Sequence, residues 1–525
     1  MPPAPGSPVV GLVLSGGGAR ASFQVGALRY LYDEVGITPS VITGTSAGSI
    51  LAAVLAQSAD HTGQRASLAR LEELFRGMTD SSDMFEELPW FTRLRERGPE
   101  LMEALERRHR RQGTLGRSFR RVADLRHGIT VAAERVKAAN GARPDDAAAE
   151  EEPVEAARRA DAAAATAPPT KLTPDGTGPS GGGLPGEPAA SPEAWQDWTT
   201  SVSERLLESI ELVRAVGRAS ADLGTIVGGA RRERSMFRPG RVVDRLVEPD
   251  VFDETAVASS GVTLRIAVVA LESGELRYVT ESGTLVDREN RPVEEGYRTP
   301  IVEAVRASCA IPTVFPPVRL GQENYVDGGV RESLPADIAM RHLGVDTCYA
   351  VVAGPSGVQH EESYDERDML AIVLRTTTAI MADEVQRDEV RRAREAGAVV
   401  IEPEFDVHDT LTVEPGLIAI AMDYGWMRAA EVHQDASAQE QAVTRDVVLL
   451  RRRIWRAEED AFGGEELPEA ELLERVTAIT GLKFELRDLL RRLPAGRLPA
   501  GAEDWWRTWE HHTFDIPVTP GWATA

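Results

Sequence analysis

The sequence predicts an α/β fold with a mainly parallel sheet, and two observations carry that expectation. Within the first fifty residues an apolar run, Val9–Leu14, is followed by the helically spaced Ala21–Val35 and a second short run, Ser40–Thr43. Two strands joined by a helix form a βαβ unit, which returns the chain in the same direction and so builds a parallel sheet. The same alternation of short apolar runs and amphipathic segments resumes after residue 240.

The elements follow in order. Val9–Leu14 leads into the turn Ser15-Gly16-Gly17-Gly18. In Ala21–Val35, Val25, Leu28, Leu31, Tyr32 and Val35 fall on one helical face, and Gly36 is placed to cap the end. Ser40–Thr43 is the second strand. Ser49–Gln57, rich in Ala and Leu, is apolar all round and so predicts a buried helix. After residue 240, "VTLRIAVVALESGELRYVTES" reads as two strands about a Glu-Ser-Gly-Glu turn, a hairpin. Ile301–Ser308 is a helix, "AIPTVFPPV" a proline-punctuated loop, and "NYVDGG" a short strand entering a glycine turn. Pro335–Leu343 is a helix and Thr347–Val352 a strand. Met369–Arg394 is a long amphipathic helix stopped by Gly397, and Ala398–Ile401 is a further strand. Charged helices and a tryptophan-rich end, with Trp505, Trp506 and Trp509, occupy the region from about 435 to 525.

Between the two α/β parts the character changes. Arg93 to Arg126 holds eleven arginines and no lysine. Residues 142–193 are dominated by Ala, Pro, Gly, Asp and Glu, with only Val154, Leu172 and Leu184 as bulky apolar side chains. Such a stretch buries too little surface to offset its ordering entropy. The expected organisation is therefore 8–76 and 241–430 as one catalytic domain, interrupted by an insertion at 77–240. The insertion is helical at its ends, including Thr199–Val216, and disordered over about 140–193; 431–525 forms a helical extension.

Composition narrows the function. The 525 residues carry 59 basic and 83 acidic side chains, a net charge of −24, which argues against general nucleic-acid binding. The only cysteines, Cys309 and Cys348, have no metal-ligand spacing, so neither a zinc site nor a disulfide framework is expected. Neither a signal peptide nor a run of about 20 apolar residues is visible, which makes a cytoplasmic protein the expectation.

Three motifs carry chemistry. Gly16-Gly17-Gly18-Ala19-Arg20 lies between a strand and a helix, where backbone N–H groups and the helix N-terminus can converge on a phosphate or an oxyanion. A dinucleotide site lacks its acidic residue, because Asp33 and Glu34 fall inside the helix; a P-loop lacks its Gly-Lys-Ser/Thr. Arg20 either meets an anion or braces the turn. Gly44-Thr45-Ser46-Ala47-Gly48 fits G-x-S-x-G after a strand and before a helix, the setting of an exposed nucleophilic serine. Asp327 ends a short strand and is framed by Gly328 and Gly329, which suits either a plain Asp-Gly turn or an acid aimed into a site.

Together and in this order the three motifs resemble the patatin-like phospholipase family, as does "ASCAIPTVFPPV", Ala307–Val318. The resemblance covers about 8–76 and 240–430. One position departs from it: the family's loop often reads G-G-G-x-R-G, and Ala21 stands last here. The resemblance implies a three-layer α/β/α fold and a serine lipid acyl hydrolase of phospholipase A, lysophospholipase or esterase type. It implies Ser46 as nucleophile, Asp327 as its base without histidine, and Gly16, Gly17 and Gly18 as the oxyanion hole, supported by Arg20, Gly44, Gly48, Gly328 and Gly329. No metal or cofactor is implied. The implied partner is a lipid or acyl-ester substrate. Peripheral membrane association would use the arginine-rich stretch and the apolar residues Met84, Phe85, Leu88, Trp90, Phe91 and Leu94 before it. A solvated helix face explains the arginines equally well. Two other classes compete: a non-catalytic scaffold on the same core, and a phosphate or nucleotide binder using the glycine loop.

Overall fold

Successive side chains of a strand point to opposite faces. In the run Val10–Leu14, Leu12 and Leu14 enter one hydrophobic core and Val13 enters a second. A strand buried on both faces has to be apolar throughout, as this one is. The computed structural model describes residues 8–93, 232–241, 251–294, 296–358, 375–411, 413–464, 467–510 and 520–524, with isolated positions between them. The arginine-rich stretch beyond Arg93, Leu94, the expected disordered centre, the helix over Thr199–Val216 and the first residues of the helix from Met369 lie outside the described residues.

In the first part of the chain, β1 (Val10–Leu14) and the glycine turn lead to α1 (Ala21–Tyr30). A wider helical turn, Leu31–Val35, continues it to Gly36, whose φ of 73° ends the helix as expected. β2 (Val41–Thr45), α2 (Ala47–Leu55) and α3 (His61–Arg76) follow. β3 (Phe85–Glu87) pairs antiparallel with β4 (Phe237–Pro239).

The second part runs through α4 (Glu254–Ser260), β5 (Thr263–Ala270), β6 (Leu276–Thr280), β7 (Leu285–Val286) and α5 (Ile301–Ser308). It continues with β8 (Val318–Leu320), β9 (Glu323–Asp327), α6 (Ala336–His342) and β10 (Thr347–Val351). α7 (Met381–Glu395), β11 (Val399–Ile401), α8 (Pro415–His433), α9 (Ala438–Phe462) and α10 (Glu469–Leu490) complete it.

The sheet runs β11-β10-β1-β2-β5-β6-β7, with β8 and β9 off that path. β11, β10, β1, β2 and β5 are mutually parallel, and β6, β7, β8 and β9 pair antiparallel. The expected hairpin is β5–β6. Val25 of α1, Leu51 of α2, Leu68 of α3 and Met422 of α8 cover one face; Ala339 of α6 and Val390 of α7 cover the other. The result is the three-layer α/β/α arrangement.

Two contacts set the site. α1 and α8 cross with their backbones touching, because a Cβ on Gly26 would lie 1.6 Å from the Met422 oxygen and one on Gly425 1.9 Å from the Phe23 oxygen. The helix leaving the glycine turn is thereby fixed. The second contact is on β5. Ala267 pairs with Thr45 of β2 and Tyr278 of β6, while Val268 pairs with Asp327 of β9 and Arg277 of β6. With β6 on one edge, β2 and β9 must share the other. β2 ends where β9 arrives, so Ser46 and Asp327 meet end to end.

One expectation changes. Met84, Phe85 and Phe91 are buried and do not form an outward-facing surface. The β3–β4 pairing carries them inward, where the Phe85 ring stacks on Phe315 at 5.7 Å and Phe91 meets Phe237 at 5.4 Å. The N–H groups of Met236 and Phe237 donate to the oxygens of Thr313 and Val314. This apolar group therefore seals the proline loop.

Candidate active site

The elbow begins with backbone geometry. Ser46 has φ 52° and ψ −130°, in the region that disfavours any residue with a Cβ. Gly44 and Gly48 make the turn close. A Cβ on Gly44 would lie 2.5 Å from the Gly48 oxygen, and one on Gly48 would lie 2.5 Å from the Ser15 oxygen. Hydrogen bonds hold the conformation. The Ser46 N–H donates to Ser308 Oγ at 2.9 Å, and Ser308 Oγ donates to the Ala267 oxygen at 2.7 Å. Ser49 Oγ donates to the Ser46 oxygen at 2.6 Å. Ser308 lies inside "ASCAIP", but nothing in its spacing announced this role.

Asp327 accepts a hydrogen bond from the Gly329 N–H at 2.7 Å, and the Ser46 side chain lies near its carboxyl. Both Ser46 and Asp327 are 5% exposed. Burial pushes the Asp327 carboxyl up to about 6, with the Ser46 side chain and the Gly329 N–H opposing the shift. Gly328 has no room for a side chain, since a Cβ there would lie 2.6 Å from the Ala267 oxygen.

The glycine turn lies against the elbow. A Cβ on Gly16 would sit 3.2 Å from Ser46 Cβ, and one on Gly17 2.4 Å from Ala353 Cβ. Gly18 has φ 57°, and its Cβ would meet the Thr410 oxygen at 2.5 Å. The three glycines do not present equal donors. The Gly16 N–H donates to the Ser333 oxygen at 3.0 Å, and the Ala19 N–H to the Thr410 oxygen at 2.9 Å. Among the described residues the N–H groups of Gly17 and Gly18 have no such partner.

Arg20 pairs with Asp406 at 2.5 Å, so its guanidinium braces the turn. It also lines a cavity of about 950 Å³ together with Gly329, Ser333, Thr410, Arg452 and Leu449. Arg452 of α9 donates to the Asp406 backbone oxygen at 2.9 Å, which links the C-terminal helices to the same loop. Sequence reading missed Ser308, Ser333, Asp406 and Thr410, because they reach the site only through tertiary contacts.

Three histidines are engaged elsewhere. His408 contacts Ser22 Oγ through Nε2 at 3.1 Å and the Asp409 oxygen through Nδ1 at 3.0 Å, and burial pushes it down to about 4. His61 contacts the Tyr32 oxygen and His433 the Tyr30 hydroxyl. His109, His127, His511 and His512 lie outside the described residues. Among the described residues no helix is long and apolar enough to cross a membrane.

A family model described as patatin-like phospholipase matches residues 12–178 and 180–340. A lysophospholipase nte1 of Aspergillus niger is 55% identical over 51 residues, covering 10% of this chain and 3% of that protein. Its counterpart in Aspergillus oryzae is 53% identical over 51 residues, again 10% of this chain and 3% of the relative. The matched segment thus spans only a small fraction of these relatives. The crystal structure of VipD from Legionella pneumophila aligns over 97% of this chain and 93% of that one at 14% identity, with a TM-score of 0.30, too low to carry an argument.

Proposed function

The chain belongs to the patatin-like phospholipase family, and from that premise we propose that it is a serine lipid acyl hydrolase of phospholipase A, lysophospholipase or esterase type, working through a Ser46–Asp327 dyad. The observation that carries this reading is that the Ser46 side chain, on a strained elbow, and the Asp327 carboxyl come together in a buried site. Ser46 Oγ attacks the ester carbonyl carbon while its proton passes to Asp327. A carboxylate raised to about 6 is a better base than an ordinary one and still ionised at neutral pH. Asp327 then protonates the leaving alcohol as the ester C–O bond breaks. Water attacks the acyl-serine and gives its proton to Asp327, which returns it to Ser46 Oγ as the acyl–oxygen bond breaks and the fatty acid leaves.

The oxyanion falls to the N–H groups of Gly17 and Gly18, since Gly16 donates to Ser333. Gly16 serves the same turn as a spacer against Ser46. Loss of one oxyanion donor typically costs about 3 kcal/mol in the barrier. A phosphate-binding reading fits less well, because two of the turn's amides are committed to protein carbonyls. A lipid surface as the site of action, in a cytoplasmic setting, belongs to the same proposal; the arginine-rich stretch from Arg93 supports it. If deletion of 94–126 left vesicle binding unchanged, that surface role would fail.

The deciding experiment compares wild type, Ser46→Ala and Asp327→Ala on short and long acyl esters and on phospholipid vesicles. Wild type is expected to release fatty acid and both variants to lose at least about 10³-fold in kcat. Hydrolysis that survives both substitutions sinks the dyad.

A further inference from the structure

Glu389 is a buried carboxyl that the proposed mechanism does not use. It lies on α7, where Glu384 and Glu395 are exposed and Asp383 and Asp388 half-buried. Its Oε2 accepts the N–H groups of Ser333 at 3.0 Å and Leu334 at 2.9 Å. These donors belong to an irregular segment that follows the Asp327-Gly328-Gly329 turn, where no strand partner serves them. An unserved buried amide costs about 1–3 kcal/mol, so the contact has a clear local reason.

The same segment grips the site from its other side. The Ser333 oxygen accepts the Gly16 N–H at 3.0 Å. Thr45 Oγ1 donates to the Glu332 oxygen at 3.1 Å, and Thr43 Oγ1 to the Pro335 oxygen at 2.9 Å. Four consecutive residues thus join one carboxyl to the glycine turn, to the strand ending at the nucleophile and to the acid's own turn. We propose that Glu389 is a positioning residue, which through Ser333 sets the oxyanion turn against Ser46; this rests on the hydrolase reading above.

The charge state agrees. Burial pushes Glu389 up to about 8, and the neighbouring Glu332, itself bonded to the Tyr278 hydroxyl, adds to the shift. A neutral carboxyl keeps a carbonyl oxygen for both amides and places no negative charge behind a developing oxyanion. Glutamine has the same acceptor.

The test pairs Glu389→Ala with Glu389→Gln and reads two quantities. One is amide hydrogen exchange at Gly16; the other is ester hydrolysis resolved into kcat and KM. The alanine form is expected to exchange Gly16 at least about fivefold faster. It should also lose about 10- to 100-fold in kcat with KM within about threefold, since small misplacements act on the transition state. The glutamine form should stay within about threefold of wild type in both readouts. Where the alanine form does not melt cooperatively, Glu389→Met keeps the helix and the bulk and takes its place. Unchanged Gly16 exchange in a folded variant overturns the proposal whatever the esters show, and so does a glutamine form as impaired as the alanine one. Faster exchange alongside a wild type that hydrolyses no ester upholds the positioning and overturns the hydrolase reading instead.

Discussion

Ser46 and Asp327 come together in a site where each residue is 5% exposed, and that burial, not a neighbouring charge, lifts the Asp327 pKa to about 6. Proton abstraction needs the ionised form. The kcat/KM for a neutral short-chain ester is therefore expected to fall tenfold per pH unit below about 6 and to level off above it. A profile whose acid limb stays at the ordinary carboxylate value near 4 would remove Asp327 as the base.

The same shift has a cost in stability. The folded protein binds this proton more tightly than the unfolded chain, so its contribution is full below the unfolded value of 3.8 and is lost as pH rises through about 6. Two units correspond to about 3 kcal/mol. Asp327→Asn abolishes the titration, so it should be inactive yet more stable than wild type at pH 8, with the gap closing towards pH 4. Denaturant unfolding at both pH values measures this. A gap independent of pH would mean that Asp327 titrates alike in the folded and unfolded chains, with no shift from burial.

Ser46 poses a related trade. Its φ of 52° and ψ of −130° are costly for any side chain, about 1–3 kcal/mol. Both Ser46→Ala and Ser46→Gly should end hydrolysis, but the glycine form should be more stable than the alanine form by about 1 kcal/mol, since only glycine relaxes there. Equal stabilities would show that the elbow is unstrained.

How much of this was legible beforehand depended on whether a feature is local. The βαβ unit, the elbow, the β5–β6 hairpin and the turn after Asp327 follow from period, glycine placement and turn chemistry within a few residues. Nothing within a few residues of Gly26 or Gly425 marks either as special. Their purpose, backbone contact between α1 and α8, is a relation across some 400 residues. The unequal donors of the glycine turn were hidden for the same reason: the Ser333 and Thr410 carbonyls that occupy Gly16 and Ala19 come from distant loops. Met84, Phe85 and Phe91 read as an outward apolar surface, because nothing local says that β4 will fold back on β3.

The glycine crossing gives its own expectation. Gly425→Ala would place a Cβ 1.9 Å from the Phe23 oxygen, and two packed backbones cannot yield to it cheaply. Separating them would displace α1 and the glycine turn that begins it. The variant is expected to lose several kcal/mol, beyond the about 1 kcal/mol that alanine gains in a helix by propensity. A fully folded, fully active Gly425→Ala would show that α8 does not fix the turn.

The C-terminal helices raise the last question, whether they form one cooperative unit with the sheet. Trp455 of α9 and Leu486 of α10 share a hydrophobic cluster with Leu12 and Leu14 of β1. Between these helices Lys483 and Glu458 form an ion pair at 2.8 Å with both side chains 0% exposed. Lys483→Met alone strands a buried carboxylate and is expected to cost about 3–5 kcal/mol. Adding Glu458→Gln removes the charge but keeps an acceptor for the Glu510 N–H, which donates to it at 3.0 Å, and should recover most of the loss. Urea unfolding followed by tryptophan fluorescence reports on the helices, and labelling of Ser46 by a fluorophosphonate reports on the sheet. If Lys483→Met shifts both midpoints together, the helices stabilise the elbow through a shared core. If fluorescence moves and labelling does not, they fold apart from it, and the bond from Arg452 to the Asp406 oxygen is too weak to join them.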